Sequence, residues 1–282
     1  MKTLFSIIIP TWNNLNYLKV CIDSILKHSY YQGHEIIVHC NEGSDGTLEW
    51  LKENNIKHTH SSENVGVCKS FNIAYKLSSH SQIMYMNDDM YTLPRWDLEL
   101  LSFKRNNFKK DQNVWLSSTM IQTKRIDGIL TPEVDYGENL EEFRETELLT
   151  DVEKIMSSSK NLAGGTWPPT LLNRETWDAI GGFDEDYPLG WGSDPDMAKK
   201  VYDLGNRNFV SVGRSLVYHF GSKTTKRASK DYPRRFGRKK YKSINGAVIR
   251  KNVNRIFEAK HGIQINNFVH DVLKRGTEWN KH

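Results

Sequence analysis

The chain has 282 residues, 38% hydrophobic and 26% charged, enough for one large domain with a buried core. No stretch approaches the roughly 20 apolar residues of a membrane-spanning helix, and Phe5-Ser6-Ile7-Ile8-Ile9 stops at Pro10, too short for a signal-peptide core, so a cytoplasmic location is the expectation. The net charge of +5 hides two parts of opposite sign: 17 Lys and Arg against 4 Asp and Glu from Lys223 to His282, but 22 against 30 in the first 222 residues.

In chain order, Phe5 to Pro10 is an apolar run bounded by a turn signal, the pattern of a buried strand. Leu15, Leu18, Ile22, Ile25 and Leu26 then recur at helical spacing, which predicts a helix over residues 14–28. Glu35 to His39 reads as a second strand, and Ser44 or Asp45 as the cap of a helix carrying Leu48 and Leu51. A third strand over 57–61, a helix over 67–77 and a fourth strand over 83–86 complete an alternation that predicts a doubly wound, mostly parallel, Rossmann-like α/β sheet. Val114 to Ser118 is a further strand, and residues 127–160 are acidic and weakly patterned, an exposed loop or helix. Later come a shaped loop over 161–169, a helix over 174–180 stopped by Gly181-Gly182, a helix from Asp194-Pro195 to Leu204, and strands over 209–212 and 215–218. Cys21, Cys40 and Cys68 are odd in number and at no zinc-like spacing, so reduced thiols are expected.

The apolar run Ile83-Met84-Tyr85-Met86 ends in Asn87-Asp88-Asp89. Two adjacent carboxylates repel, and desolvating either costs several kcal/mol unless a cation or donor answers it. In a doubly wound sheet, ligands sit beyond the carboxyl ends of the strands. Thr11-Trp12-Asn13, Asn41 to Asp45 and Asn87 to Asp89 all follow strands, which places them together at the mouth of the sheet rather than in its core.

Seven segments occur in a family order: Ser6 to Asn13, Asn41 to Thr47, Asn64-Val65-Gly66, Asn87-Asp88-Asp89, Gly181 to Glu185, Ser193-Asp194-Pro195-Asp196 and Val217-Tyr218-His219. In this the chain resembles the inverting glycosyltransferases of family 2, which have the GT-A fold. The resemblance implies an enzyme that moves a sugar from a nucleoside diphosphate sugar, a UDP-sugar by preference, to a glycan or lipid-linked acceptor with the help of Mn²⁺ or Mg²⁺. It implies metal binding by Asp89 and His219, and donor contacts from Pro10, Thr11, Trp12, Asn13, Glu42, Asn64, Gly66, Lys69 and Asp88. It implies that Asp194 is the base, and that Trp191, Gly192 and Asp196 border the acceptor. Asn87 and Ser193 stand where relatives carry acidic residues, and the loop at Glu42 is one residue shorter.

Each element also has a plainer reading. A strand-end turn accounts for Asn87 to Asp89, a tight turn for Asn64 to Gly66, a helix cap for Asp194, and core packing for Trp191. A helix N-terminus at Asp194 is expected to keep that carboxylate ionised. Two rival functions are a sugar nucleotidyltransferase and a non-catalytic, degenerate GT-A module that binds an anionic partner. The first wants a Gly-rich loop with a basic residue after the first strand, and Pro10-Thr11-Trp12-Asn13-Asn14 offers none; the Asn87 and Ser193 departures keep the second open.

The expected organisation is a GT-A domain over 1–222 and a basic, partly helical extension over 223–282 that packs on or near the active site. From Lys223 to Lys242 ten cations are interleaved with Tyr232, Phe236 and Tyr241. That segment suits the leaving diphosphate, an anionic membrane surface that would make the protein peripheral, a lipid-linked acceptor or an anionic polysaccharide; nucleic acid is the least favoured partner, and a merely solvated face the plainest reading.

Overall fold

The computed structural model describes residues 4–110, 112–123, 134–187, 190–221 and 246–280, with side chains from Lys251 onward in the last stretch. The basic segment Lys223 to Lys242 lies outside the described residues. Strand β1 (Phe5–Trp12) is buried along its whole length because it is hydrogen-bonded on both sides, parallel to β2 (Glu35–Asn41) and to β4 (Gln82–Tyr85). β3 (Lys57–Ser61) adds to β2, also in parallel.

Side-chain alternation shows why the sheet needs cover on both faces. Phe5, Ile7, Ile9, Val38, Cys40 and Met84 point into one core, against α1 (Leu15–His28) and α4 (Trp96–Asn107). Ile8, Ile37, Ile83 and Tyr85 point into the other, against α3 (Val67–Tyr75), α6 (Arg174–Ile180) and α7 (Ser193–Asp203). This period-2 division is what a doubly wound fold requires. The second core also takes in Val253 and Phe257 of α8 (Gly246–His261) and Phe268 and Val269 of a π-helical turn, Asn267–Val272.

Parallel pairing ends at β4. The sheet order is β3-β2-β1-β4-β8-β6-β9-β5, and β8 (Thr170–Asn173) runs antiparallel to both β4 and β6 (Trp115–Ile121). β6 pairs in parallel with β9 (Phe209–His219), to which β5 (Met90–Thr92) and β7 (Leu162–Ala163) add antiparallel. The two strands expected over 209–218 are one strand: its register against β6 slips between Ser118 and Thr119, where Gly213 to Ser215 bulge out. The stretch expected to be an exposed loop or helix contains α5 (Glu145–Ser158), whose Leu148, Val152, Ile155 and Met156 are buried in a third cluster with Tyr91 and Tyr218. The remaining helix, α2 (Thr47–Glu53), follows β2; Asp45 accepts from the backbone N–H of Leu15 at 2.9 Å and of Thr47 at 3.2 Å, so one carboxylate anchors the first turns of α1 and α2.

Candidate active site

The parallel strands bring the ends of β1, β2 and β4 to one edge. Thr11, the penultimate residue of β1, donates its hydroxyl to Asp88 Oδ2 at 2.7 Å and its carbonyl accepts from Asn41 Nδ2 at 3.0 Å. Asn41, not singled out from sequence, is the hub of this edge: its Oδ1 accepts from the Val65 N–H at 2.9 Å and its Nδ2 donates to Ser70 Oγ at 2.9 Å, which ties the 64–66 loop to both strands. Asn13 and Glu42 both hold positive φ, and Asn13 Nδ2 donates to Glu42 Oε2 at 3.1 Å, so the two loops brace each other. Asn64 Oδ1 accepts from the Gly66 N–H at 2.9 Å, the tight turn its sequence suggested, while Lys69 extends exposed from the first turn of α3. Pro10 and Trp12 are buried.

Asp88 and Asp89 stand at the end of β4 as expected, but buried at 4% and 2% exposure rather than open at the mouth. β5 turns back antiparallel to β9, opposing Met90 to His219, so Asp89 Oδ1 faces His219 Nε2 at 3.3 Å. His219 Nδ1 lies 2.9 Å from Gln122 Oε1. An amide oxygen only accepts, so Nδ1 carries the hydrogen and Nε2 is the ring atom turned toward the carboxylate. A nitrogen and a carboxylate oxygen at that distance share either a proton or a metal ion. The nitrogen and oxygen donors suit Mn²⁺ or Mg²⁺. No group of three or more His, Cys, Asp and Glu side chains able to hold a metal occurs among the described residues, so a cation here would complete its shell with diphosphate oxygens and water. Beneath the pair, burial and then the charges of Asp88 and Asp89 push the Cys21 thiol well above its ordinary range, and all three cysteines are free and buried.

Across the cleft, α7 begins at Ser193, one residue before the expected Asp194-Pro195 start, with Gly192 as its cap. Ser193 donates to the Gly190 carbonyl at 2.7 Å. Asp194 sits in the first turn, and among the described residues no hydrogen bond reaches its carboxylate. Burial pushes the Asp194 carboxyl up to about 7, opposed only by the charge of Arg275. That direction runs against the expectation that the helix N-terminus would keep the carboxylate ionised, and burial is its largest cause. The residue is half-buried, and its carboxylate oxygens are not among the fully buried polar atoms. Burial and then the Asp194 charge push the Tyr85 hydroxyl well above its ordinary range, and the charges of Asp88 and Asp89 act on it in the same direction.

Trp191 is half-buried, packed against the second core. Asp196 is fully buried: Oδ1 accepts from Tyr187 at 3.0 Å and faces His261 Nε2 at 2.7 Å, and Oδ2 lies 3.6 Å from Lys200 Nζ. That makes it a brace between α7 and α8 rather than a surface for an acceptor. Arg275 had no local signal in the sequence, since nothing near it in the chain marks a site. An open groove of about 550 Å³ near Gln82, Lys104 and Asn173 lies at the opposite ends of β4 and β8, away from these residues.

Residues 6–125 match the family described as Glycosyl transferase family 2. An uncharacterized protein y4gI of Sinorhizobium fredii (strain NBRC 101917 / NGR234) is 24% identical over 254 residues, 83% of this chain and 26% of that protein. An uncharacterized glycosyltransferase of Rickettsia bellii (strain RML369-C) is 30% identical over 109 residues, 36% of this chain and 15% of that protein. The chain thus spans about a quarter or less of the length of these curated relatives. Among solved structures, S. aureus TarS 1-349 in complex with UDP-GlcNAc superposes with a TM-score of 0.54 at 16% identity, covering 94% of this chain and 75% of that one, a likeness of fold.

Proposed function

We propose that this chain, which has the GT-A fold and belongs over residues 6–125 to glycosyltransferase family 2, transfers a sugar from a nucleoside diphosphate sugar to a hydroxyl acceptor with inversion and metal assistance. The observation that carries the reading is the juxtaposition of the Thr11–Asp88 bond and the Asp89–His219 pair at one strand edge, with Asp194 of α7 close enough that its charge and those of Asp88 and Asp89 all bear on Tyr85 at the end of β4. The UDP and UDP-GlcNAc complexes of TarS support a UDP-sugar as the donor.

In this reading Thr11, Glu42, the Asn64 to Gly66 loop and Lys69 receive the nucleotide, with Pro10, Trp12, Asn13 and Asp88 shaping its pocket. Asp89 and His219 would hold the divalent cation, which when bound would neutralise charge on the leaving diphosphate. Asp194 accepts the acceptor hydroxyl's proton as the new C–O bond forms on the face opposite the departing diphosphate, and a carboxyl near 7 is matched to that task at neutral pH. Trp191 and Gly192 border the acceptor, a glycan or lipid-linked hydroxyl. The basic residues from Lys223 suit an anionic membrane surface by their charge; no helix among the described residues is long and apolar enough to cross a membrane.

The test is calorimetric titration with UDP, GDP, CDP and dTDP, with Mn²⁺ and then with excess chelator. UDP is expected to bind with Mn²⁺ only, and Asp89→Ala to abolish that dependence. Identical titrations with metal, with chelator and in Asp89→Ala would refute the role of this pair, and no binding of any nucleotide by the folded protein would favour the degenerate module.

A further inference from the structure

At the end of the sheet away from Thr11 and Asp88, β4 begins at Gln82 and β8 ends at Asn173, and the two residues pair across the antiparallel ladder. Together with the end of α4 and the segment after it they border the open groove of about 550 Å³. That size falls within the about 300–1,000 Å³ of ordinary small-molecule sites, and Leu101 and Phe108 give the groove an apolar wall.

The polar atoms of the groove are turned one way. Lys104 is buried at 8% exposure, and its Nζ donates to Gln82 Oε1 and to Asn173 Oδ1, each at 2.7 Å. Gln82 Nε2 donates to the same Asn173 oxygen at 2.8 Å, and Asn113 Oδ1 accepts from the Thr176 hydroxyl at 2.8 Å. With both asparagine oxygens taken, Asn113 and Asn173 are left with their Nδ2 groups as donors. Neither Nδ2 has an acceptor among the described residues, and neither is sealed from solvent.

Arg105, Lys109 and Lys110 line the same groove and are exposed. Arg105 donates to Ser102 Oγ at 3.2 Å, and none of the three has an ion pair among the described residues. A helix C-terminus accounts for cations in its last turn, here Lys104 and Arg105, but Lys109 and Lys110 lie beyond the end of α4 at Asn107. Glu175 is the one carboxylate among the described lining residues, and Asp111, outside the described residues, is the one acid in the stretch 104–113. With both counted, the cations outnumber the carboxylates four to two.

We propose that this groove is a second binding site, apart from the candidate active site, for a phosphorylated small molecule whose phosphate is held by Arg105, Lys109, Lys110 and the Nδ2 groups of Asn113 and Asn173. A phosphate carries several strong acceptor oxygens, which suits a lining that offers donors and cations. A concave site with an apolar wall favours a small ligand over a membrane face, which would meet a flatter surface. The inference does not depend on the roles of Asp89, His219 or Asp194.

The experiment is a titration of the full chain with inorganic phosphate, read by nitrogen-15 NMR at the side-chain amides of Asn113 and Asn173. Chloride holds the ionic strength constant, and excess chelator keeps metal from recruiting phosphate to the Asp89–His219 pair. Both amides are expected to shift and saturate. The double variant Arg105→Gln, Lys109→Gln is expected to weaken binding about tenfold or more, since each removes a charge-assisted donor. Glu175→Gln is expected to tighten it about twofold by removing an opposing charge. All three side chains are exposed, so these variants keep the fold. Phenyl phosphate, which adds an apolar body for the wall, is expected to bind more tightly than inorganic phosphate. Shifts that chloride alone reproduces, or saturation unchanged in the double variant, would overturn the inference, and equal affinity for the two phosphates would overturn the small-molecule assignment. Unmoved amides, with binding to phosphatidylglycerol vesicles or to single-stranded RNA that the double variant loses, would overturn it in favour of a polyanion surface.

Discussion

Gly192→Ala probes the joint between the presumed base and the C-terminal helix. Gly192 caps α7 at φ +84, and a Cβ there would lie 2.3 Å from Val253 Cγ1 on α8 and 3.1 Å from two carbons of the Tyr187 ring. The left-handed conformation costs an L-residue about 1 kcal/mol relative to glycine, and an overlap of this depth about 1–3 kcal/mol more. The expected loss is about 2–4 kcal/mol, a large fraction of the roughly 5–15 kcal/mol that holds a domain together. Urea unfolding reads it directly. Val253 is buried, so Val253→Ala alone should cost about 2 kcal/mol for its two lost methyl groups and the space they leave. The double variant should then fall short of the sum by about 1–2 kcal/mol, because the overlap is relieved while the backbone strain stays. Turnover should drop in the single variant on the order of 10²-fold, since Asp194 lies two residues further along the helix. Strict additivity of the two substitutions would refute the close approach of α8 to this cap, and an unchanged midpoint in Gly192→Ala would refute the strain as well.

Asp97 is fully buried and accepts from the Tyr30 and Tyr31 backbone N–H groups at 2.8 and 2.9 Å and pairs with His34 Nε2 at 3.0 Å. Asp97→Ala should therefore cost about 3 kcal/mol in urea unfolding, and a loss under about 1 kcal/mol would contradict this network. Burial pushes the Glu35 carboxyl up, but the Lys57 ammonium, the Ser6 hydroxyl and the Ser79 N–H outweigh it and hold the group at about 2. A depressed carboxyl stabilises the fold above its unfolded value of about 4.3 and loses that contribution as pH falls toward 2. The melting temperature of the native protein should thus fall more steeply between pH 5 and 2 than that of Glu35→Gln, and parallel curves would exclude the linkage.

The parts of the fold that were legible are those whose signal is local. Phe5 to Trp12 alternates between two apolar cores, and a strand apolar on both faces has few other places to sit. The antiparallel insertion of β8 was not legible, because Thr170–Asn173 is four residues long and its direction is set by partners such as Gln82 and Ile83, far away in sequence. The bulge in β9 split one strand into two apparent runs for a similar reason, since Gly213 and Arg214 read as a turn unless the pairing with β6 is known. α5 is different: Leu148, Val152, Ile155 and Met156 carry helical spacing in plain view, and the surrounding glutamates hid it.

The same division runs through the site, and Asp194 and Asp196 show it most clearly. Sequence presents two carboxylates flanking one proline, with nothing to separate them. At 3.6 residues per turn, positions two apart point about 200° from each other, so one carboxylate must face the cleft if the other faces the core. The core-facing Asp196 has its Oδ1 taken up by Tyr187 and His261, while Oδ2 has only the Lys200 ammonium at 3.6 Å and no hydrogen bond. Asp194 meets no donor among the described residues and has only the distant charge of Arg275 to oppose its desolvation. A fold gains nothing in stability by leaving a carboxylate in that state, since one more donor would lower its cost by about 1–3 kcal/mol. Unsatisfied titratable groups of this kind concentrate where a ligand or a proton is to be received. The feature that distinguishes the candidate base from its neighbour is thus a carboxylate with no hydrogen bond or ion pair among the described residues, where Asp196 has Tyr187, His261 and Lys200, and that depends on how α7 packs rather than on anything written in its own sequence.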